Sequence, residues 1–332
     1  KKIVEQGTLL ISVRAPIGAL NFASEKSCIG RGLAGITARS DIELKYIYYC
    51  LKAKRGELNR KGTGSTFKAI SKNVLGGIEI EYISLDAQKK CIAILDKLNE
   101  VIRKKKKQIE YADELIKSRF IEMFGDPISN NFGWKQSLLR EVTSKIGSGA
   151  TPRGGKESYQ AEGITLIRSM NVHDGRFEYK DLAHITDEQA TQLNNVIVEE
   201  GDVFINITGA SVARSCIVPS KILPARVNQH VAIIRCIRGC LHPVFANSMF
   251  LNDRFKRRLL DIGDSGGATR QAITKQQLEN LVVILPPMNL QHKFAAFVAQ
   301  TDKSKLTIQK SLDELETLNK ALMQKYFGGN GV

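Results

Sequence analysis

A stretch near residue 70 of this chain recurs about 203 residues later, and that internal match constrains the fold more than any other feature. When the two stretches are overlaid, Ala69 meets Ala272, Ile70 meets Ile273, Lys72 meets Lys275 and Leu75 meets Leu278. The same offset carries Gln88 onto Gln291, Leu115 onto Leu318 and Phe124-Gly125 onto Phe327-Gly328. Upstream, VEQGTLLISV from Val4 parallels VEEGDVFINI from Val198 at an offset of 194, and a turn of small residues follows both. The chain is therefore built from two copies of one unit. The second copy starts near Gly133 and Trp134, so Val198 lies about 65 residues inside it, whereas Val4 lies almost at the terminus. With no Met at position 1, the expectation is an N-terminally truncated first copy that lacks about 60 residues.

Each copy ends in a long helix. From about Asp86 to Met123 there is no Gly or Pro, and Leu95, Ile102, Ile109, Ile116 and Met123 recur every seven residues. Leu98 and Ala112 add a second row, with Lys105 and Arg119 as exceptions to the heptad seam. The second copy, from about Asn289 to Tyr326, carries Phe294, Ile308, Leu315 and Leu322 at multiples of seven, with Val298 and Leu312 beside them. Each helix would be about 57 Å long at 1.5 Å per residue. A stripe this narrow suits packing of one helix on the other, and two such helices separated by a whole domain would most simply lie antiparallel.

The other segments read as a mixed α/β fold. Short apolar runs such as ITLIRSM from Ile164, DVFINI from Asp202 and HVAIIRCI from His230 look like strands, with a helix near Pro243 to Leu260. LLISV from Leu9 and IELKYIYYCLKAK from Ile42 repeat the later part of that pattern. The expected organisation is a first domain over 1–85, a long helix over 86–126, a second domain over 127–288 and a second long helix over 289–328.

Charge points to the partner. With 49 Lys+Arg against 34 Asp+Glu, the net charge is +15 and the pI near 9.5, which favours a polyanion, nucleic acid first. Residues 1–85 hold +7 of the surplus and residues 133–288 hold +4, so it sits mainly outside the helices. The run Arg103 to Lys107 is the sharpest cluster, but on a long exposed helix it reads first as a solvated face. Six cysteines without a CxxC spacing suit a reducing cytoplasm, and Cys236, Cys240 and His242 lack a fourth ligand group for a metal. No apolar run reaches the roughly 18 residues that cross a bilayer, so no membrane partner is expected.

Several motifs occur in a fixed order. In the second copy they are GSGATPRGG from Gly147, EEGDVFINITGASVAR from Glu199, SGGATRQAI from Ser265, the LPP step at Leu285 to Pro287 and the closing KYFG at Lys325 to Gly328. Their counterparts in the first are EQGTLLISVRAPIG from Glu5, GTGSTFKAI from Gly62 and EMFG from Glu122. Repeated twice with two long helices, this order resembles the specificity subunit of type I restriction-modification enzymes over essentially the whole chain. The resemblance implies two target-recognition domains that each read half of a split duplex DNA sequence. It implies that the two long helices, packed as an antiparallel coiled coil, hold the domains apart and dock methyltransferase subunits, and through them restriction subunits. S-adenosylmethionine, ATP and Mg would then belong to those partners, with no cofactor on this chain. The first copy lacks a counterpart of GSGATPRGG, the TP loop, which implies that its half-site is read incompletely.

The loops supply the candidate DNA contacts. Thr151, Arg153 and Lys156 place a hydroxyl and two cations beside flexible backbone, suited to phosphates and base edges. The loop is no P-loop, because Ala150 and Glu157 stand where that motif needs Gly and Ser or Thr. Asn206, Thr208 and Arg214 follow a strand, Arg226, Asn228 and Gln229 precede one, and Arg270 and Gln271 lie in a later loop. Arg168 lies in the run from Ile164, and Arg14, Arg31 and Lys68 are the first-copy candidates. Asn or Gln pairs bidentately with adenine. Each loop also has a plainer reading, a tight connection whose polar groups only satisfy backbone. The expected helix-packing residues are Leu95, Ile102, Ile109, Ile116, Val298, Ile308, Leu315 and Leu322. No methyltransferase Asn-Pro-Pro-aromatic motif, nuclease metal grouping or cofactor loop is visible. A non-catalytic recognition subunit is the leading reading. A self-sufficient methyltransferase or nuclease, and a non-specific DNA-binding coiled-coil scaffold, are the alternatives.

Overall fold

The computed structural model describes residues 2–64, 68–152, 154–264 and 271–328. The chain divides into two compact units, residues 1–110 with 305–332, and residues 111–304. The first unit begins with β1 (Lys2–Val4), β2 (Leu9–Ser12), β3 (Leu20–Phe22), β4 (Ser27–Ile29) and β5 (Leu33–Ile36). Helices α1 (Leu44–Ala53), α2 (Arg55–Arg60) and α3 (Lys72–Gly76) follow, and then the long α4 (Leu85–Phe124), whose residues 85–110 belong to this unit. Strand β2 lies between β3 and β5, antiparallel to both. Its Leu9 and Ile11 are fully buried and alternate with half-buried Leu10 and Ser12, so one face of the pleat meets the core. That core also holds Ile17, Ile47, Leu51, Leu58 and Ile70.

The second unit opens with β6 (Lys135–Leu138), β7 (Thr143–Ser148), β8 (Ile164–Ile167), β9 (Val172–His173), β10 (Arg176–Phe177) and β11 (Ala183–Ile185). After α5 (Asp187–Thr191) come β12 (Val203–Asn206), β13 (Ser215–Ile217), β14 (Ala225–Val227) and β15 (Val231–Cys236). Then follow α6 (Pro243–Leu251), α7 (Asp253–Asp264), α8 (Lys275–Glu279), β16 (Val282–Leu285) and α9 (Met288–Phe327), whose residues 288–304 belong to this unit. The main sheet has the order β13-β12-β15-β7 and is antiparallel throughout. Both faces of central β12 are covered, which is why Val203, Phe204 and Ile205 form an apolar run and Asn206 is buried with them. A second sheet, β11-β8-β14, shares its core with the other face of β12 through Phe204. The single helix expected over Pro243 to Leu260 is two, because the chain breaks at Asn252, whose side-chain oxygen accepts from Arg254 N and Phe255 N.

The sequence repeat is a structural repeat. Helices α4 and α9 are both 40 residues long and start and stop at the 203-residue offset. Ser71 and Thr274, at that same offset, cap α3 and α8 by accepting from Val74 N and Gln277 N, both at 3.2 Å. Strand β2 with its two partners corresponds to β12 with β13 and β15.

The long helices pack antiparallel within each unit. In the first unit Leu98, Ile102 and Leu312 are buried together, with half-buried Ile109, Leu315 and Leu322 against them. Asn319 donates to Asn99 Oδ1 across this seam at 3.0 Å, and Lys106 pairs with Glu316 at 2.7 Å. Beyond this middle stretch the helices enter globular cores, which sequence periodicity did not reveal. Leu95 packs with Tyr46, Tyr49, Cys50 and Phe327. In the second unit the Phe120 and Phe124 rings each meet both Phe245 of α6 and Phe294, with Ile116 and Val298 beside them. Ile308 is only half-buried. Burial also pushes the Cys50, Cys216 and Cys236 thiols up to about 12, so these cysteines are protonated core residues.

Candidate nucleic-acid interface

Four segments of the second unit are laid side by side by backbone hydrogen bonds. At the end of β7 the chain turns at Gly149, where a Cβ would come within 1.9 Å of the Val227 carbonyl oxygen, so only Gly fits. Gly149 N donates to Asn228 O at 3.1 Å, which ties the TP loop to the turn between β14 and β15. After β12, Ile207 N donates to His230 O at 3.0 Å and Ile273 N donates to Ile207 O at 2.8 Å. Gly209 N donates to Gln271 O at 2.9 Å, and Thr208 and Ala272 form a bridge.

Side chains complete the cluster. Thr151 Oγ1 donates to Gln229 Oε1 at 2.5 Å, Gln229 Nε2 meets His230 Nε2 at 3.1 Å, and His230 Nδ1 meets Thr208 Oγ1 at 2.5 Å. Gln229 is exposed, and Gln271 donates to Asp264 Oδ1 at 2.6 Å. Of the sequence candidates, Thr151, Thr208, Gln229 and Gln271 are thus brought together. His230 was missed, although it sits next to Gln229 in the chain, because no motif marks it. The strand carrying the loop also lines an open groove of about 540 Å3 with Arg140, Lys145 and Lys275. Burial and the nearby Arg235 hold the Lys145 ammonium below its ordinary range.

Other candidates are placed differently. Asn206 is fully buried, and its Nδ2 donates to Ser169 O at 2.9 Å and Val172 O at 3.4 Å, so it staples β12 to the chain around β9. Arg226 is 7% exposed, and its guanidinium donates to Ala190 O, Ala225 O and Asn194 Oδ1. Both expectations of a DNA-facing side chain are corrected, because both side chains are buried, with the Asn206 Nδ2 and the Arg226 guanidinium donating within the domain. Asn228 is also buried and accepts from His230 N at 3.0 Å, shaping the turn that presents Gln229. Arg168 is half-buried, donates to Asp181 O and lies over the Tyr159 ring at 5.4 Å. Arg214 is half-buried in the turn, with its N donating to Ser211 O at 3.2 Å. Arg153, Arg270 and the Lys156 side chain lie outside the described residues.

The first unit repeats the scaffold. Val13 N donates to Gly32 O at 2.9 Å, Ile70 N to Val13 O at 2.9 Å and Ala15 N to Lys68 O at 3.1 Å, and Arg14 and Ala69 form a bridge. These bonds match those of Ile207, Ile273, Gly209 and the Thr208 bridge one for one. Arg14, Arg31 and Lys68 therefore stand where Thr208, Gln229 and Gln271 stand, and all three are exposed. Gly32 takes the place of His230. One scaffold carries neutral groups in one unit and three cations in the other.

Among the described residues no group of three or more His, Cys, Asp or Glu could hold a metal ion, and no helix is long and apolar enough to cross a membrane.

Comparison with known proteins agrees with this layout. A 119-residue stretch is 41% identical to a protein named as the type I restriction enzyme MjaX specificity subunit of Methanocaldococcus jannaschii, and covers 35% of this chain and 28% of that protein. The type I restriction enzyme MjaIX specificity subunit of the same organism is 26% identical over 356 residues, 99% of this chain and 78% of its own. The fold is similar to the S subunit of a type I restriction-modification system from M. genitalium, with a TM-score of 0.60 at 16% identity over 98% of this chain and 83% of that one. Residues 1–111 and 131–317 match the type I restriction modification DNA specificity domain, so the chain belongs to the family of type I restriction-modification specificity subunits.

Proposed function

We propose that this chain reads a bipartite duplex DNA target and docks methyltransferase subunits through its long helices, performing no bond chemistry itself. The observation that carries this reading is the twice-built loop scaffold, which holds Thr151, Thr208, Gln229 and Gln271 in one unit and Arg14, Arg31 and Lys68 in the other. Hydroxyl, amide and guanidinium groups at the ends of short strands suit base edges, and Arg140, Lys145 and Lys275 suit phosphates. The +15 charge supplies the sequence-independent part of the affinity. Leu115 and Leu318, equivalent by the repeat, are 52% and 48% exposed, which suits two equivalent contacts with a protein partner. Methylation from S-adenosylmethionine, and ATP- and Mg-dependent cleavage by restriction subunits, would lie on those partners, all acting in the cytoplasm.

Titration of the full chain with a labelled random-sequence duplex is the first test. Affinity should fall steeply between about 50 and 200 mM salt. Selection from a randomised duplex pool should then recover a defined motif. Salt-independent binding would overturn the DNA reading, and binding without a recovered motif would favour a non-specific scaffold.

A further inference from the structure

We infer that Gln229 is an adenine-reading residue of the second unit and that His230 is the positioning residue that sets its amide. The inference rests on the proposed function and adds a base class to it. A primary amide has two N–H donors and two oxygen lone pairs. Thr151 Oγ1 occupies one lone pair of Gln229 at 2.5 Å. On the other side the amide nitrogen lies 3.1 Å from His230 Nε2, so this nitrogen accepts one N–H. In a neutral imidazole only one nitrogen carries a proton. The acceptor role of Nε2 therefore places that proton on Nδ1, which donates to Thr208 Oγ1 at 2.5 Å.

The chain of bonds from Thr151 to Thr208 is directional. It holds the Gln229 amide from both sides and leaves one N–H and one lone pair free at an exposed position. In the major groove adenine presents an N7 acceptor beside an N6 donor, the complement of that free pair, whereas guanine presents two acceptors. Turning the amide over would require the whole chain to reverse at once, with Nε2 donating to the amide oxygen, Nδ1 accepting from Thr208 Oγ1 and Thr151 Oγ1 accepting an amide N–H, so the histidine couples the orientation of the amide to both threonines. His230 is itself fixed, because its N donates to Asn228 Oδ1 at 3.0 Å and its O accepts from Ile207 N at 3.0 Å. In the first unit the equivalent pair is Arg31 and Gly32, where no side chain can hold the reader.

The experiment is selection of full-length protein on a randomised duplex pool, comparing the native chain with Gln229→Ala, His230→Ala, His230→Gln and Gln229→Glu. The native motif should contain a position dominated by adenine. Gln229→Ala and His230→Ala should each lower the adenine preference there by about fivefold or more, with the other positions and random-DNA affinity unchanged. His230→Gln, which can still place an acceptor against Gln229, should retain it. Gln229→Glu should turn the same position toward cytosine, whose N4 donates to a carboxylate. That gain of preference cannot come from misfolding. The lock is overturned if His230→Ala leaves the adenine position intact or weakens all positions alike. A native chain that recovers no motif overturns the proposed function instead, and the base assignment with it.

Discussion

Gln88 and Gln291 perform the same task at equivalent places in the two repeats. Each lies fully buried in the first turn of its long helix. Gln88 Oε1 accepts from Glu43 N at 2.9 Å, and its Nε2 donates to Asp41 O at 3.3 Å and Ile83 O at 2.8 Å. Gln291 Oε1 accepts from His242 N at 2.9 Å, and its Nε2 donates to Cys240 O at 3.3 Å and Pro286 O at 2.8 Å. In each unit one amide thus ties the long helix to the chain that enters an earlier helix, α1 or α6.

Gln291→Leu should therefore be costly despite its similar size. It leaves a buried N–H and two carbonyls without partners, where one unmade buried partner costs about 1–3 kcal/mol. The expected loss is near the upper end of that range, measured by urea unfolding. Stability within a few tenths of a kcal/mol of the native chain would mean that water or backbone movement replaces all three bonds.

Substitutions along the helix seam should rank by burial. Leu312 is 4% exposed and Ile102 8%, whereas Ile109 and Leu315 are half-buried. Leu312→Asp should forfeit the roughly 1.5–3 kcal/mol of a buried aliphatic side chain and add the desolvation of a charge. Ile109→Asp should cost clearly less. Equal losses of melting temperature would show that the seam extends further than the contacts indicate.

Arg226→Ala and Asn206→Ala should lower stability without changing base preference, because both side chains donate to buried carbonyls. Each should cost about 1–3 kcal/mol. Thermal melts and pool selection on the same samples separate the two effects. A shifted preference with an unchanged melt would return either residue to the reading surface.

Acid should loosen the second unit through His242. Its Nδ1 caps α6 by accepting from Val244 N at 3.2 Å, and burial, with His292 at 5.1 Å between ring centroids, holds it below the usual imidazole range. The folded state thus binds this proton less readily than the unfolded chain. The cap's stabilisation is full above the unfolded imidazole value near 6.5 and is lost as pH falls through the lower folded value. The melting temperature should drop between about pH 7 and 5, and His242→Asn, which keeps a capping oxygen, should flatten that drop.

The repeat, the two long helices and the mixed α/β segments could be read from residue order alone. They depend on local rules, namely heptad spacing, apolar runs of strand length, and caps such as Ser71 and Thr274, whose chemistry lies within a few residues. The motif order identified the family for the same reason. Which polar residues face outward was decided only by tertiary structure. Asn206 and Gln229 are both amides beside strands, but Asn206 meets Ser169 and Val172 from 34 to 37 positions away and is consumed there. Gln229 meets Thr151 from 78 positions away and keeps a free edge. The equivalence of Arg31 with Gln229 became visible only through matched backbone bonds, because the stretch from Ile207 to Ile273 is longer than its counterpart from Val13 to Ile70, which shifts the register of the repeat. Burial and hydrogen-bond partners are properties of distant neighbours, and the spacing of residues along a chain does not encode them.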